Sequence, residues 1–486
     1  MRLRGHTALA FVAGAVMALG TPPYDLWPLA ILSIAAIFAI LRNARRWALA
    51  GWAAGTGYFG VSLSWIVEPF FIEPEIYGWM APFALVGLAA GLALFWAAAF
   101  GLAARLKAKR FLALVVLWTA AELARSTVLT GFPWSLVGYL WLETPVIQWA
   151  AVAGPHGLTF ATLGLAALAA SGRRPALGAG LGVAVLWAGG VWLTPPMQDL
   201  SDRPVVRLVQ PNAPQTEKWD PERQRIFYER QLDFTAAPAD DPARAPSLVV
   251  WPETALPMLL EDAGNAFAAM TDAAEGTPVA TGILRYEDGR YYNALVLVEN
   301  GAATQLYDKH HLVPFGEYMP LPGLVSRLGL RALAARATGG FAAGPGPRPM
   351  PLGPLGTALP LICYEAVFPQ DINAAGFRPD WMLHVTNDAW FGTWSGPYQH
   401  LAQSRIRAIE QGVPLLRAAN TGVSAAIDGA GRVLASLDLG QAGFVDAPLP
   451  PPLRITPYSR TGDWPILVLL IGAIAFAVLR GRRETV

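Results

Sequence analysis

The sequence is poor in charge and almost without cysteine. Only 15% of its 486 residues are Asp, Glu, Lys or Arg, against 54% hydrophobic, where soluble domains carry roughly 25% charged residues. Such a deficit points to lipid as part of the solvent. With a formal net charge of +1, no global field speaks for nucleic acid as a partner. The single cysteine, Cys363, excludes an intrachain disulfide framework and any multi-cysteine zinc or iron–sulfur site. A lone cysteine is ordinarily a small buried hydrophobe, so its surroundings must decide its role. The six histidines show no ligand spacing. His310 and His311 are expected on opposite faces of a strand, and His384, His400 and Asp388 form no metal pattern. No metal and no cofactor are expected.

Long apolar runs, by contrast, fill the first part of the chain. Stretches near 6–20, 26–41, 47–66, 79–104, 111–125, 146–170 and 175–193, with another near 463–480, approach or exceed the ~17–25 residues a spanning helix needs. The first follows Arg2 and Arg4, but Thr21-Pro22-Pro23-Tyr24 is a poor cleavage site, so it reads as a retained helix. Positive residues cluster after alternate spans: Arg42, Arg45 and Arg46; Arg105, Lys107, Lys109 and Arg110; Arg173 and Arg174; Arg480, Arg482 and Arg483. The loops near 21–25, 67–78 and 126–145 have no Lys or Arg. By the positive-inside rule both termini are cytoplasmic and the long insert lies outside. The expected organisation is a membrane domain over 1–193 with about seven transmembrane helices and an extracytoplasmic domain with linkers over 194–462. A C-terminal transmembrane helix over 463–480 and a cytoplasmic tail over 481–486 follow. Trp27, Trp65, Trp79, Trp134, Trp141 and Trp192 sit near span ends, as bilayer anchors do. Glu122 and Arg125, costly against lipid, are expected to pair across one helical turn.

From about 204 the texture changes to short β-type runs: 205–209, 248–251, 278–283, 293–298, 358–363, 381–386, 415–419 and 424–427. Helix candidates are Pro221–Phe234, capped by Asp220, and His400–Gln411. Strands alternating with helices indicate an α/β layered domain. The stretch 319–357, rich in Leu, Ala, Gly and Pro and carrying Arg327, Arg331 and Arg336, is expected to form an arm that dips into the interface and gates lipid access.

Cys363 ends the apolar run Leu359-Pro360-Leu361-Ile362. A nucleophile at a strand end projects from the sheet rim, where the next backbone N–H can face an oxyanion. A thiol of pKa ~8.5 needs a base or a cation nearby. Trp251-Pro252-Glu253 offers a carboxylate after one strand, and Tyr307-Asp308-Lys309 a lysine after another. Each alone is weak, since such groups are usually solvated or ion-paired. The ordered set is more specific: Trp-Pro-Glu253, then Lys309 followed by Leu312-Val313-Pro314-Phe315-Gly316-Glu317, then Cys363-Tyr364-Glu365.

This set resembles the nitrilase superfamily, whose members use a Glu–Lys–Cys triad in an α-β-β-α sandwich. With the apolar helices included, the chain is similar to the apolipoprotein N-acyltransferase family. Further matching segments are Gly131-Phe132-Pro133-Trp134, Gln210-Pro211-Asn212, Lys218-Trp219, Thr386-Asn387-Asp388-Ala389-Trp390-Phe391 and Arg417-Ala418-Ala419-Asn420-Thr421-Gly422. The implied fold is a multi-pass α-helical membrane domain plus a nitrilase-like α/β sandwich, and the implied place is the bacterial inner membrane with a periplasmic catalytic domain. The resemblance implies Glu253 as general base, Lys309 and the Tyr364 N–H as oxyanion donors, and Cys363 as the acyl-carrying nucleophile. Glu317, Tyr364, Glu365 and Trp219 are implied supporting residues, and Asn293, Trp390 and Phe341 are candidates for substrate binding. The implied donor is a phospholipid, phosphatidylethanolamine, and the implied acceptor the N-terminal amine of diacylglyceryl-modified apolipoproteins. Two other readings stay open from sequence: a membrane-tethered amidase with the same triad, and a transporter with an inert outer domain.

Overall fold

The computed structural model describes residues 2–106, 110–320 and 340–483. Residues 321–339, with Arg327, Arg331 and Arg336, lie outside the described residues, as do Lys107, Lys109 and residues 484–486. The middle of the arm expected over 319–357 therefore falls outside them too.

The N-terminal part is helical: Arg2–Met17, Trp27–Asn43, Trp47–Ser62, Ala81–Arg105, Arg110–Thr127, Ala150–Ala169 and Arg173–Leu193, with Trp464–Arg483 near the C-terminus. Among the described residues, three helical stretches are long and apolar enough to cross a membrane, Pro74–Arg105, Pro145–Ala169 and Arg173–Leu193. Gly5–Gly20, Trp27–Asn43 and Trp464–Phe476 are apolar but shorter. Glu122 and Arg125 pair at 2.8 Å and are fully buried, turned into the protein rather than toward lipid. Trp96 donates to Glu122 (2.7 Å), and Arg125 donates to the carbonyls of Phe132 and Trp134. The pair thus ties down the following loop.

The first and third helices pack backbone to backbone. A Cβ at Gly14 would lie 1.9 Å from the Ala54 carbonyl oxygen, and one at Gly57 2.1 Å from that of Phe11. Small residues are what allow helices this close in an apolar solvent. Gly57→Val is expected to force the helices apart and cost at least about 1–3 kcal/mol. A thermal midpoint of the purified protein in detergent equal to that of the parent would refute this.

The tryptophans divide. Trp79 and Trp192 are exposed at 68% and 84%, as anchors would be. Trp65, Trp134 and Trp141 are instead buried. Their indole N–H groups bond within the protein, the first two to Gln399 and the third to Thr162, which lets the rings leave the interface.

Residues 205–448 form two six-stranded sheets. The first sheet holds β1 (Val205–Gln210), β2 (Pro246–Val250), β3 (Val279–Glu287), β4 (Arg290–Glu299), β5 (Ala302–Asp308) and β12 (Gly443–Pro448) in the order β12-β1-β2-β3-β4-β5. The second runs β11-β10-β9-β8-β7-β6, from β6 (Met350–Pro351), β7 (Thr357–Ile362), β8 (Trp381–Thr386), β9 (Leu415–Ala419), β10 (Ser424–Ile427) and β11 (Val433–Leu437). Strands alternate sides: Leu208, Val250 and Leu295 meet Ile362, Leu383 and Leu416 between the sheets. On the outer faces Val249 and Ile283 pack with Phe267, Met270 and Leu232, while Leu361, Met382 and Leu415 pack with Ala408 and Leu401. Those outer partners belong to the helices Gln224–Ala236, Gly264–Ala273 and Gly396–Gln411, which completes an α-β-β-α sandwich. β1, β2, β7, β8 and β9 are paired in parallel where they adjoin and are almost wholly buried, as apolar strands covered on both faces are.

Some boundaries differ from expectation. The helix expected from Pro221 begins at Gln224, because the Asp220 carboxylate accepts the Glu222 N–H (2.8 Å) and its carbonyl those of Arg223 and Gln224. The helix expected from His400 begins at Gly396, with Pro397 in its first turn. The edge strands β5, β11 and β12 carry mixed, partly exposed residues, and for that reason left little alternation to read.

Candidate active site

The site is built at strand ends. β2 stops at Val250, β5 at Asp308, β7 at Ile362 and β8 at Thr386. Glu253, Lys309, Cys363 and Asn387 follow these ends by one to three residues, so parallel strands deliver them to one rim of the sandwich. Here chain turns free the side chains from the pleat.

The turn carrying Glu253 is clamped by β3. Gly282 donates to the Pro252 carbonyl (3.1 Å) and accepts from Ala255 (2.8 Å). A Cβ at Gly282 would fall 2.6 Å from the Glu253 Cα, so only glycine lets the turn sit this close. Lys218, buried, donates to the Glu253 carbonyl (3.1 Å) and the Thr254 hydroxyl (2.7 Å). The carboxylate itself is held from both sheets. Oε1 accepts from Asn293 of β4 (2.7 Å) and faces the Lys309 ammonium at 3.5 Å, while Oε2 accepts the Asn387 N–H beyond β8 (2.8 Å).

Lys309 is 1% exposed. Its Nζ donates to Glu317 Oε1 at 2.8 Å, and Glu317 Oε2 accepts the Val313 N–H at the same distance. Burial opposes the charge on the ammonium, but the carboxylates of Glu317 and Glu253 outweigh it and hold the pKa above the usual lysine range. Lys309 is therefore a fixed cation at neutral pH. The second lysine, Lys218, makes no hydrogen bond to a carboxylate among the described residues, and burial draws it down to about 8 against the pull of Glu253.

Cys363 leaves β7 in the left-handed region, φ +51°, which costs a non-glycine residue about 1–2 kcal/mol. The residue is 5% exposed. Burial, chiefly, and the charge of Glu253 push the thiol well above its ordinary pKa, while Lys309 and a hydrogen bond with Thr386 pull the other way. The resting sulfur is thus a protonated thiol within the field of a carboxylate and an ammonium. It needs a base to become a nucleophile, and Glu253 is at hand.

The Cys363 turn is anchored from behind by Glu365, fully buried. It accepts from the backbone of Ile362 (2.7 Å) and His310 (2.7 Å) and from the Tyr307 hydroxyl (3.0 Å), joining the Cys363 turn to the Lys309 loop. His310 and His311 do not face opposite ways as a strand would require. β5 has ended, and both imidazoles turn to Asp371, at 3.6 and 2.6 Å. Burial opposes a charge on His310, yet Asp371 and Glu365 raise it to about 9.

Of the residues expected to act, Glu253, Lys309, Cys363, Glu317 and Asn293 are brought together. Tyr364 is buried, its ring edge-on to Phe368 at 4.8 Å. Phe341 donates its backbone N–H to the Glu317 carbonyl (2.8 Å). Trp219 stands half exposed with the Lys218 ammonium 5.7 Å from its ring, and Trp390 is half exposed in the turn after β8. The sequence offers Lys218, Asn387, Asp388 and Arg417 only inside matching segments, with no role, and gives none to His384 and His400, which join Asp388 and Arg417 in a buried set. A signal existed for two of these. His384 and Arg417 interrupt wholly buried strands, where a polar side chain must find a partner.

The model described as the Apolipoprotein N-acyltransferase N-terminal domain matches residues 13–168, and that of the Carbon-nitrogen hydrolases matches 206–454. A protein named Apolipoprotein N-acyltransferase from Rhodopseudomonas palustris is 38% identical, over 98% of this chain and 95% of its own length. Proteins of the same name from Bradyrhizobium diazoefficiens and Caulobacter vibrioides are 37% and 39% identical, covering 97% and 98% of this chain and 94% and 95% of theirs. Matched through both its helical and its layered part, the chain belongs to the apolipoprotein N-acyltransferase family.

Proposed function

We propose that the protein moves a fatty acyl chain from a phospholipid, phosphatidylethanolamine in the first place, to the α-amino group of the N-terminal diacylglyceryl-cysteine of lipoproteins. The transfer runs through a thioester on Cys363. The observation that carries this reading is the meeting of Glu253 and Lys309 around a buried, protonated Cys363 in a chain that also has membrane-length apolar helices. Both substrates are lipids, and a covalent intermediate lets one site serve them in turn.

In the first half-reaction Glu253 takes the Sγ proton as the sulfur attacks the ester carbonyl. Negative charge develops on the carbonyl oxygen, where the Lys309 ammonium and the Tyr364 N–H supply donors. The ester C–O bond then breaks, and the lysophospholipid oxygen leaves with the proton from Glu253. In the second half the amine attacks the thioester and passes a proton to Glu253. The C–S bond breaks, and that proton returns to sulfur. Glu253 is thus base and acid twice per cycle, which suits a carboxylate fixed by Asn293 and Asn387 on one oxygen each. The positive residues beside alternate helices support a catalytic domain on the outward side and both termini inside.

The test uses purified protein in detergent with phospholipid carrying a labelled acyl chain. The protein should acquire label that neutral hydroxylamine removes, and a diacylglyceryl-cysteine peptide should collect it as an amide. Absence of protein-bound label, or release as free fatty acid whether or not peptide is present, would refute the reading.

A further inference from the structure

The helix Gly396–Gln411 lies between the second sheet and the outward loops of the membrane part. Its residue Gln399 is buried with all four hydrogen-bonding positions engaged. The amide oxygen accepts the indole N–H of Trp134 (2.7 Å) and of Trp65 (3.2 Å). The amide nitrogen donates to the carbonyls of Ser62 (3.0 Å) and Pro22 (3.2 Å). Pro22, Trp65 and Trp134 come from three separate connections between apolar helices, and Ser62 is the last residue of the helix Trp47–Ser62.

The next residue faces the nucleophile. His400 Nε2 lies 3.1 Å from the Cys363 carbonyl oxygen, and His384 Nε2 lies 3.1 Å from the same atom. A carbonyl oxygen only accepts, so each Nε2 carries a proton and both lone pairs of that oxygen are used. Behind them, His400 Nδ1 is 2.8 Å from Asp388, and His384 Nδ1 accepts from Arg417 (3.0 Å). Arg417 also pairs with Asp388, and Ser404, one helical turn beyond His400, lies 3.1 Å from His384. The His400 ring stacks on Trp134 at 5.7 Å, the tryptophan that binds Gln399. One tryptophan and two consecutive helix residues therefore connect membrane loops to the backbone of the strained Cys363.

We propose that Gln399 and His400 couple the membrane helices to the nucleophile: the loops set Gln399, and His400, with His384, holds the Cys363 carbonyl and so aims the thiol between Glu253 and Lys309. Both are positioning residues, acting through the Cys363 backbone. The membrane part is then more than an anchor, because it sets the geometry of the reacting sulfur. This rests on Cys363 being the acyl carrier.

The experiment measures kcat and KM for thioester formation, with the thermal midpoint, on full-length protein in detergent. His400→Phe keeps the stacked ring and deletes the hydrogen bond to the Cys363 carbonyl, whereas His400→Gln restores a donor near the Nε2 position. His400→Phe is expected to lower kcat by about 10- to 100-fold with KM nearly unchanged, as small misplacements of a reacting group do. His400→Gln should recover most of that loss. Gln399→Leu should lower kcat by about 10-fold, and the Gln399→Leu/His400→Phe pair should fall little below His400→Phe, since both act through one element. Trp65→Phe with Trp134→Phe, which keeps the rings and removes both indole donors, should act as Gln399→Leu does. This pair carries the test if His400→Phe does not fold. Parental kcat in His400→Phe or in the double tryptophan variant would overturn the proposal. So would full multiplicativity, or His400→Gln as slow as His400→Phe. A Cys363→Ala arm separates the two failures: product from it sinks the nucleophile assignment, whereas an inactive Cys363→Ala beside a fully active His400→Phe sinks only the coupling.

Discussion

Cys363→Ala is expected to abolish acyl transfer, with turnover falling by on the order of 10⁴-fold or more, as loss of a covalent nucleophile does elsewhere. No neighbour can replace the sulfur. Thr386, whose hydroxyl acts on the thiol, sits at the end of a buried strand and donates to Asp388 at 2.9 Å. The protein should stay folded, because the change removes one buried atom and leaves the Glu365 and histidine bonds to the turn's backbone intact. Cys363→Ser should be nearly as slow, since a hydroxyl is far harder to deprotonate than a thiol. Steady-state transfer above about a hundredth of the parental rate in Cys363→Ala would contradict the thioester mechanism.

The second large effect is a pair of opposite signs. Glu253→Gln is expected to slow thioester formation by about 10²- to 10⁴-fold, the range for loss of a positioned general base. Lys309→Met should slow it by about 10²- to 10³-fold through the oxyanion. The two differ in what they do to the resting thiol. Burial is the main reason its pKa is high, but Glu253 adds to the rise and Lys309 opposes it. Alkylation of Cys363 by a small uncharged reagent should therefore move to lower pH in Glu253→Gln and to higher pH in Lys309→Met. The glutamine variant should thus own the more reactive sulfur and the dead enzyme. Shifts in one common direction, or Glu253→Gln with parental transfer, would refute the assigned roles.

The proposed triad was legible as a set because each member follows an apolar strand and carries a short flanking signature. Pattern along the chain was enough to find Glu253, Lys309 and Cys363, and to place Glu317 beside the lysine. What surrounds them was not legible, for a common reason. Asn387 reaches Glu253 through its backbone, which no side-chain motif encodes. Lys218 looks like any surface lysine until the Glu253 turn folds over it. His384, His400, Asp388 and Arg417 come from β8, the following turn, a helix and β9, and meet only when the second sheet forms. The tryptophans misled by position: at helix ends Trp65 and Trp134 look interfacial, yet a glutamine far along the chain claims their N–H groups. His310 and His311 misled by periodicity, because the alternation of a strand was applied past its last residue.

Glu253 draws one carboxylate oxygen to β4 in the first sheet and the other to the end of β8 in the second. This carboxylate is thus strung across the seam of the sandwich, like a gauge wire between two plates. Any slip of one layer against the other changes its tension before a single strand is lost. On the proposed mechanism, competence for chemistry and correct spacing of the layers become the same property.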